Sequence, residues 1–284
     1  MYKYTLKELF YMKRIAVIPN YTKDTEYIFT KRLCDFLCGK AVVVMQEKDK
    51  KDGIVAEFVT GDVFEGCDAA IVLGGDGTMI RVAEPCSEKA IPVMGINLGK
   101  VGFLTEVEAC DMESACQRLL ADDFEVEERM MMEITLESGD TYVALNDLVI
   151  YKNDAPMIET EIYAGGSKVS EYMSDGIIIA TPTGSTGYSL SAGGPVADPA
   201  MNLFIATPIC AHTLSARPML MSQHKDISLK LTQLGGKSAK IAVDGMDKCI
   251  INAGDTVLVR KSNRAFKTIK LGKQSFYYTM MAKL

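Results

Sequence analysis

A strand-like apolar run that ends in a glycine-rich turn is the feature that most constrains the fold of this chain. Residues Ala69–Leu73 are all apolar and predict a buried parallel strand. The sequence Gly74-Gly75-Asp76-Gly77-Thr78 follows directly. Glycines let backbone N–H groups approach a phosphate, and Asp76 would be placed to orient or deprotonate an attacking hydroxyl. Asp76 could equally cap the helix expected near Thr78, so these five residues leave phosphoryl chemistry and helix capping both open.

The pattern of apolar segments changes near residue 125, which predicts two domains. Before this point, short apolar strands alternate with helical patterns, as is typical of an α/β layer with a parallel sheet. The predicted strands are 14–18, 41–45, 69–73 and 91–96, and the predicted helices are about 23–38 and 112–120. With 284 residues, of which 48% are hydrophobic, the chain is long enough to form two cores.

Strand-like runs predominate after residue 125, and this region is predicted to be mainly β. The runs are 131–136, 142–145, 147–151, 158–163, 176–180, 227–231, 239–243 and 256–260. Turn signals at 138–140, 164–166 and 234–237 favour antiparallel connections between these strands. We therefore predict an α/β domain over 12–125 and a β-rich domain over 126–260.

Charge and hydropathy exclude several classes of protein. The net charge is −6 and no basic block is present, so binding to nucleic acid has little support. No apolar run approaches the roughly 18 residues that span a bilayer, and the first ten residues lack the features of a signal peptide. These observations predict a cytoplasmic location and no membrane partner. Residues 1–11 precede the first predicted strand and are either native or an added extension.

Cysteine and histidine usage limits the kinds of site that the chain can form. The eight cysteines contain no CxxC pair and lie in apolar segments, so a disulfide framework is not expected. Two histidines exclude a His-rich metal site and disfavour a Ser-His-Asp triad. We predict no protein metal site. An anionic ligand would instead be held by backbone amides, a divalent cation or a few local lysines and arginines.

A second informative segment runs over residues 174–195. The buried strand Ile177–Ala180 is followed by a turn rich in glycine, serine and threonine, and then by a short helical stretch over about 187–192. Its hydroxyls and amides suit hydrogen bonding to ribose, base edges or phosphates, and the Tyr188 ring could stack on a base. Alternatively, the segment is a Ser/Thr-capped helix with Tyr188 packed in a core.

Six motifs, taken together and in this order, resemble those of the bacterial NAD kinases, which phosphorylate the adenosine-ribose 2′-hydroxyl of NAD. They are 74–78, 97–104, Asn146-Asp147, 175–195, 208–218 and 243–245, and the resemblance extends over roughly 13–271. The glycine-aspartate turn alone also resembles that of diacylglycerol-type lipid kinases, and phosphofructokinases carry a near relative. The segments 175–195 and 208–218 distinguish NAD kinases from both.

This resemblance implies a fold and a set of site residues. The fold is an α/β N-terminal domain with a Rossmann-like parallel sheet, a sandwich-like β domain, and a return of about 261–284 to the first domain. Asp76 is implied as the general base. The implied NAD-binding residues are Asp76, Gly77, Phe103, Asn146, Asp147, Asp175, Thr183, Thr186, Gly187, Tyr188, Ser189, Leu190, Ser191 and Asp244. Asp147 stands where the family usually has Glu, and Met246 where many relatives carry Gln.

The resemblance also implies the ligands and the assembly. NAD would be the acceptor, ATP or inorganic polyphosphate the donor, and a divalent cation, Mg²⁺, the cofactor. The protein would be a homodimer or homotetramer. Two other functions remain open for this sequence: a kinase of lipids or other small molecules that uses the same glycine turn, and a nucleotide-binding regulatory protein without turnover.

Overall fold

The computed structural model describes residues 12–99, 102–153, 156–213, 215–233, 238–272 and 276–283. The strands are β1 (Arg14–Pro19), β2 (Val42–Gln46), β3 (Glu57–Val59), β4 (Ala69–Gly74), β5 (Val93–Asn97), β6 (Val107–Glu108), β7 (Glu125–Leu136), β8 (Thr141–Ala144), β9 (Asp147–Lys152), β10 (Ile158–Ala164), β11 (Ser167–Ser174), β12 (Gly176–Ala180), β13 (Leu203–Ile209), β14 (Met219–Ser222), β15 (Ile227–Gln233), β16 (Ala239–Val243), β17 (Met246–Ile251) and β18 (Thr256–Lys270). The helices are α1 (Ile28–Leu37), α2 (Asp76–Glu88), α3 (Met112–Leu120), α4 (Tyr188–Ser191) and α5 (Phe276–Lys283).

Several sequence predictions fall wholly or partly outside the described residues. These are the N-terminal residues 1–11, the turn at 234–237, positions 100–101 and 214 of two motifs, and positions 273–275 and 284 of the C-terminal return. Within the described part of the chain, no helix has both the length and the apolar character that crossing a membrane requires.

The chain divides into two compact units. The first comprises Met1–Glu128 with Lys267–Leu284, and the second comprises Arg129–Phe266. The divisions that we predicted from the sequence, after residues 125 and 260, come slightly earlier. They differ because both structural boundaries lie inside long strands, β7 and β18, whereas the predicted divisions fall at the start of β7 and at the end of the predicted run 256–260.

The first unit is an α/β structure, which confirms the fold class predicted for the N-terminal part. Its parallel strands follow the order β5-β4-β1-β2-β3. The C-terminal end of β18 joins β5, where Thr268 pairs with Val93. All six residues of β4 are buried, as its unbroken apolar sequence predicts.

Helix α1 begins later than the pattern over 23–38 predicts, at Ile28. The cause is Asp24, whose buried carboxylate accepts hydrogen bonds from the N–H groups of Phe29 (3.1 Å) and Thr30 (2.9 Å). These bonds satisfy donors that the first helical turn leaves unpaired, so the helix starts after Asp24 rather than through it. The residues before Ile28 therefore form an ordered loop at the end of β1.

The second unit is a mainly antiparallel β structure with two facing sheets, which confirms the predicted sandwich-like class. One sheet has the order β14-β13-β12-β9-β16-β17. The other contains β11, β10, β15 and the first part of β18, with β7 and β8. Alternate residues from both sheets form one buried core, to which β12 contributes Ile177 and Ile179. Ile178 and Ala180, on the other face of β12, pack under Ala197.

Candidate active site

The sheet of the first unit changes its winding direction between β1 and β4. From β1 the chain continues to β2 and β3 on one side, whereas β5 follows β4 on the other side. The connections that leave β1 and β4 therefore diverge and open a crevice at the carboxyl ends of these strands, where ligands of open α/β sheets bind. We call residues 74–78, which lie at this point, the glycine turn.

Close packing between two loops explains the first glycine of this turn. The side-chain amide of Asn20, which follows β1, donates a hydrogen bond to Thr78 Oγ1 at 2.8 Å. A Cβ atom added at Gly74 would lie 2.6 Å from that oxygen and 3.2 Å from the Asn20 Cβ. A side chain at position 74 would therefore force the two loops apart.

Asp76 is the first residue of α2, but its carboxylate binds a different segment. Gly75 occupies the N-cap position, and no side chain of the described residues caps the helix. Asp76 Oδ2 accepts a hydrogen bond from the Phe103 N–H at 2.7 Å, and Oδ1 accepts one from the Leu104 N–H at 3.0 Å. Helix capping is therefore not what this side chain does. Because each carboxylate oxygen can accept two hydrogen bonds, the oriented carboxylate retains room for a further donor.

The main chain of Gly102–Leu104 forms the cradle for this carboxylate. A Cβ atom added at Gly102 would lie 1.8 Å from Asp76 Oδ1. The family resemblance implies Phe103 as a ligand contact, and it does not reveal this main-chain role. The Phe103 ring itself lies 5.7 Å from the Phe276 ring and 4.8 Å from the Lys283 ammonium. The signal that could have revealed the cradle was Gly102 itself, because an isolated glycine often marks a close approach of the backbone.

In the second unit, Asp244 fixes the start of β9, where two predicted ligand residues lie. Asp244 and Gly245 form the turn between β16 and β17 with φ angles of 49° and 76°, as a type I′ turn requires. The Asp244 carboxylate accepts hydrogen bonds from the N–H groups of Leu145 (2.8 Å), Asn146 (2.7 Å) and Asp147 (3.1 Å). These bonds position the main chain of Asn146 and Asp147.

The side chains of Asn146 and Asp147 differ in what they offer a ligand. Asn146 Oδ1 is buried and has no hydrogen-bond partner among the described residues, which is costly unless a ligand or a water donates to it. Asp147 is 5% exposed. Burial raises the pKa of its carboxyl from 3.8 to about 7, and the nearby Asp244 carboxylate adds to the increase. Near neutral pH the Asp147 carboxyl can therefore donate as well as accept a hydrogen bond.

The raised pKa of Asp147 predicts a specific pH dependence of stability. The folded state holds this proton up to about pH 7, whereas the unfolded chain releases it near pH 3.8. The contribution of Asp147 to the free energy of unfolding is therefore complete below pH 3.8 and is lost as the pH rises towards 7. Over this range the free energy of unfolding falls by at most about 1.4 kcal/mol per pH unit. Asp147→Asn removes this loss, so the variant should gain stability relative to the unmodified protein between pH 4 and pH 7.

Urea denaturation of both proteins at several pH values gives the difference between their free energies of unfolding. The titration of the other groups is common to both proteins and therefore cancels in this difference. Asp52→Asn changes an exposed aspartate and should give a curve parallel to that of the unmodified protein. A parallel curve for Asp147→Asn as well would contradict the raised pKa.

Two glycines pack the segment after β12 against the start of β9. A Cβ atom added at Gly184 would lie 2.1 Å from the Asn146 carbonyl oxygen, and one added at Gly187 would lie 3.7 Å from Asn146 Nδ2. In the sheet register, Ala180 at the end of β12 pairs with Asp147 at the start of β9. The structure thus brings five predicted positions to one end of the sheet: Asn146, Asp147, Thr183, Thr186 and Gly187.

The predicted residues of α4 face different environments. Tyr188 is 48% exposed, so its ring is not packed in a core as the alternative interpretation required. Ser191 is also exposed, and Leu190 is half-buried. Ser189 is fully buried, and its hydroxyl lies 2.9 Å from the Thr207 hydroxyl. The side chains that could meet a ligand here are therefore those of Tyr188 and Ser191, whereas Ser189 holds the helix to β13.

Asp175 is not brought together with the other predicted residues of its unit. It precedes β12, whereas Thr183 follows it, and five strand residues at about 3.3 Å each put roughly 16 Å between the two ends. Its carboxylate forms an ion pair with Lys152 at 2.6 Å. A role for Asp175 in ligand binding would therefore concern a different part of the ligand from Asp147.

Comparison with known proteins identifies the family. Residues 15–124 match the ATP-NAD kinase N-terminal domain, and residues 145–271 match the ATP-NAD kinase C-terminal domain. The NAD kinase of Heliobacterium modesticaldum is 39% identical over 96% of this chain and 99% of that protein. This chain belongs to the NAD kinase family. A second relative, the NAD kinase of Natranaerobius thermophilus, is 36% identical over 96% of this chain and 98% of its own length.

Solved structures of the family agree with the fold. The crystal structure of yeast NADH kinase complexed with NADH matches with a TM-score of 0.83 and 23% identity, over 96% of this chain and 87% of that one, which supports the fold alone. The NAD kinase from Archaeoglobus fulgidus in complex with ATP matches with a TM-score of 0.72 and 25% identity, over 95% and 98% of the two chains. These relatives favour NAD kinase membership over the lipid-kinase and non-catalytic alternatives.

Proposed function

We propose that this protein transfers the terminal phosphoryl group of ATP to the adenosine-ribose 2′-hydroxyl of NAD, giving NADP. The observation that carries the proposal is Asp76, an oriented carboxylate at the winding switch of the sheet, in a chain whose relatives of nearly full length are NAD kinases. The yeast NADH kinase structure contains NADH, the reduced form of NAD, and the Archaeoglobus NAD kinase structure contains ATP. These ligands support the choice of NAD as acceptor and ATP as donor.

In this proposal Asp76 is the general base. Its carboxylate accepts the proton of the 2′-hydroxyl as the ribose oxygen attacks the terminal phosphorus, and the bond from that phosphorus to the leaving phosphate breaks in line. The hydrogen bonds from Phe103 and Leu104 keep the carboxylate from rotating. N–H groups of the first turn of α2, which helix geometry leaves without intrahelical partners, stabilise the negative charge on the phosphoryl oxygens.

Residues of the second unit would bind the dinucleotide. The buried Oδ1 of Asn146, which has no partner among the described residues, accepts a hydrogen bond from the ligand, and Asp147 beside it binds a ribose hydroxyl. The exposed ring of Tyr188 offers a surface for stacking against a base. Gly184 and Gly187 keep the hydroxyl-rich segment close to Asn146.

A divalent cation, Mg²⁺, fits this site as an ion that arrives with the donor. Among the described residues, no group of three or more His, Cys, Asp or Glu side chains could hold a metal. Kinase Mg²⁺ ions are held mainly by substrate phosphates and waters, together with one or two carboxylates. In the glycine turn, Asp76 is the residue that carries a carboxylate. Such an ion neutralises charge on the donor's phosphates.

Formation of NADP tests the proposal directly. Purified protein is incubated with NAD, Mg²⁺ and either ATP or polyphosphate, and NADP is measured with an NADP-specific dehydrogenase. We expect NADP to accumulate with ATP; the polyphosphate arm decides whether a nucleotide donor is required. Absence of NADP with both donors would overturn the proposal. Native mass measurement of the same sample tests the homodimer or homotetramer that the family resemblance implies.

A further inference from the structure

Lys23 lies in a loop that hydrogen bonds hold in place. Its N–H donates to the Asn20 carbonyl at 3.0 Å, and the next N–H, that of Asp24, donates to the same oxygen at 2.9 Å. The Asn20 side chain accepts a hydrogen bond from the Thr22 N–H at 3.1 Å, and the Asp24 carboxylate is fixed by α1. The backbone at position 23 is therefore anchored on both sides, at the carboxyl end of β1.

The ammonium group of Lys23 lies against the glycine turn. A Cβ atom added at Gly75 would be 2.7 Å from Lys23 Nζ, and one added at Gly99, after β5, would be 3.6 Å from it. Lys23 is solvent-exposed, and no carboxylate of the described residues forms an ion pair with it. The ammonium thus lies beside the turn, and its three donors form no ion pair with a carboxylate in the part of the chain that the structure describes.

A cavity of about 510 Å³ in the same unit begins beside this turn. Asn20, Thr78 and Arg81 line it together with Lys48, which follows β2. Asp49 is the carboxylate among its described lining residues, and the hydroxyl of Tyr21 donates a hydrogen bond to it. The cavity therefore presents two cations to an incoming ligand, and its volume suits a nucleotide-sized molecule.

We propose that Lys23 binds the phosphates of the phosphoryl donor at the glycine turn, and that the adjoining cavity receives the donor's nucleoside end. This inference rests on the proposed function, because it concerns the donor of that reaction. The terminal phosphoryl group carries its negative charge to the point where Lys23 Nζ, Gly75 and the start of α2 meet. As the bond between the terminal phosphorus and the bridging oxygen breaks, charge develops on the leaving diphosphate, and the Lys23 ammonium stabilises it.

Lys23→Gln tests this role, since glutamine keeps a polar side chain and removes the charge. We expect the KM for ATP to rise about 10- to 100-fold and kcat to fall, while the KM for NAD changes less than twofold, because a charge-assisted hydrogen bond to phosphate is lost. Tripolyphosphate, if used as a donor, should show the same loss. Lys31→Gln removes an equal charge from α1, away from the glycine turn, and should leave both KM values unchanged.

Calorimetric titration of ATP with Mg²⁺ separates this inference from the proposed function. If the unmodified protein makes no NADP, the proposed function fails, but weaker ATP binding by Lys23→Gln than by the unmodified protein still supports Lys23 as a phosphate ligand. Equal ATP affinity and an unchanged KM for ATP in the variant would overturn the inference. A parallel loss of ATP and NAD binding would overturn it too, since Lys23 would then support the fold rather than the donor.

Discussion

Replacing Asp76 with asparagine is expected to lower kcat for NADP formation by about 10²- to 10⁴-fold, the usual contribution of a general base. The amide cannot take the proton of the attacking hydroxyl. It also has one acceptor oxygen where the carboxylate uses two, so one of the N–H groups of Phe103 and Leu104 would lose its partner. Binding of NAD should change little, because the amide oxygen can still accept a hydrogen bond from the 2′-hydroxyl, and the other dinucleotide contacts that we propose lie in the second unit.

Steady-state kinetics and calorimetric titration of NAD separate the two effects. Asp52→Asn, an exposed aspartate of the same unit, is the matched control and should keep full activity. Thermal unfolding of all three proteins establishes that Asp76→Asn remains folded. A kcat within a few-fold of that of the unmodified protein would remove Asp76 from the chemistry.

Replacing Gly184 with alanine is expected to lower the free energy of unfolding by about 3 kcal/mol, near the upper end of the cost of overpacking. The new methyl group would lie 2.1 Å from the Asn146 carbonyl oxygen, and backbone atoms cannot rotate away as a side chain can. The segment after β12 must therefore shift from the start of β9. The Thr181 N–H, which donates to the same carbonyl at 2.9 Å, should lose that bond. Affinity for NAD should fall at the same time.

Urea denaturation and NAD titration measure both losses. Gly61→Ala is the control, because a Cβ atom at Gly61 would meet no atom of the described residues within 4 Å and its φ is ordinary. Gly187→Ala should be milder, since its nearest contact would be 3.2 Å away. If Gly184→Ala changed the free energy of unfolding and the NAD affinity no more than Gly61→Ala, the packing around Asn146 would not be required.

Segments whose apolar residues are continuous were predictable from the sequence. The strands at 69–73 and 176–180 were found within one residue because they are buried on both faces. Strand β11 was missed because it is an edge strand with mostly exposed residues, so its sequence lacks the apolar signal. Strand β13 was missed although it is buried, since Pro208 argues against an interior strand. Its missing N–H costs no hydrogen bond with β14, which pairs with β13 only as far as Ala206.

The residues proposed to carry out the chemistry were easier to predict from the sequence than the residues that hold them in position. The glycine turn and Asp76 could be recognised because five consecutive residues carry the pattern. The cradle that orients the Asp76 carboxylate comes from Gly102–Leu104, which follow β5, and the pairing of β4 with β5 brings the two segments together. The role of Asp244 is likewise tertiary, because its hydrogen bonds reach Leu145–Asp147, almost a hundred positions earlier.

The divided first unit has a consequence for how the protein folds during synthesis. Its strand next to β5 is supplied by the end of β18, which follows Arg129–Phe266 in the chain. A ribosome adds about 5–20 residues per second, so these nearly 140 residues delay completion of that sheet by roughly 7–28 s. During this interval the nascent chain holds β5 without its final neighbour, and the second unit can form its own core first.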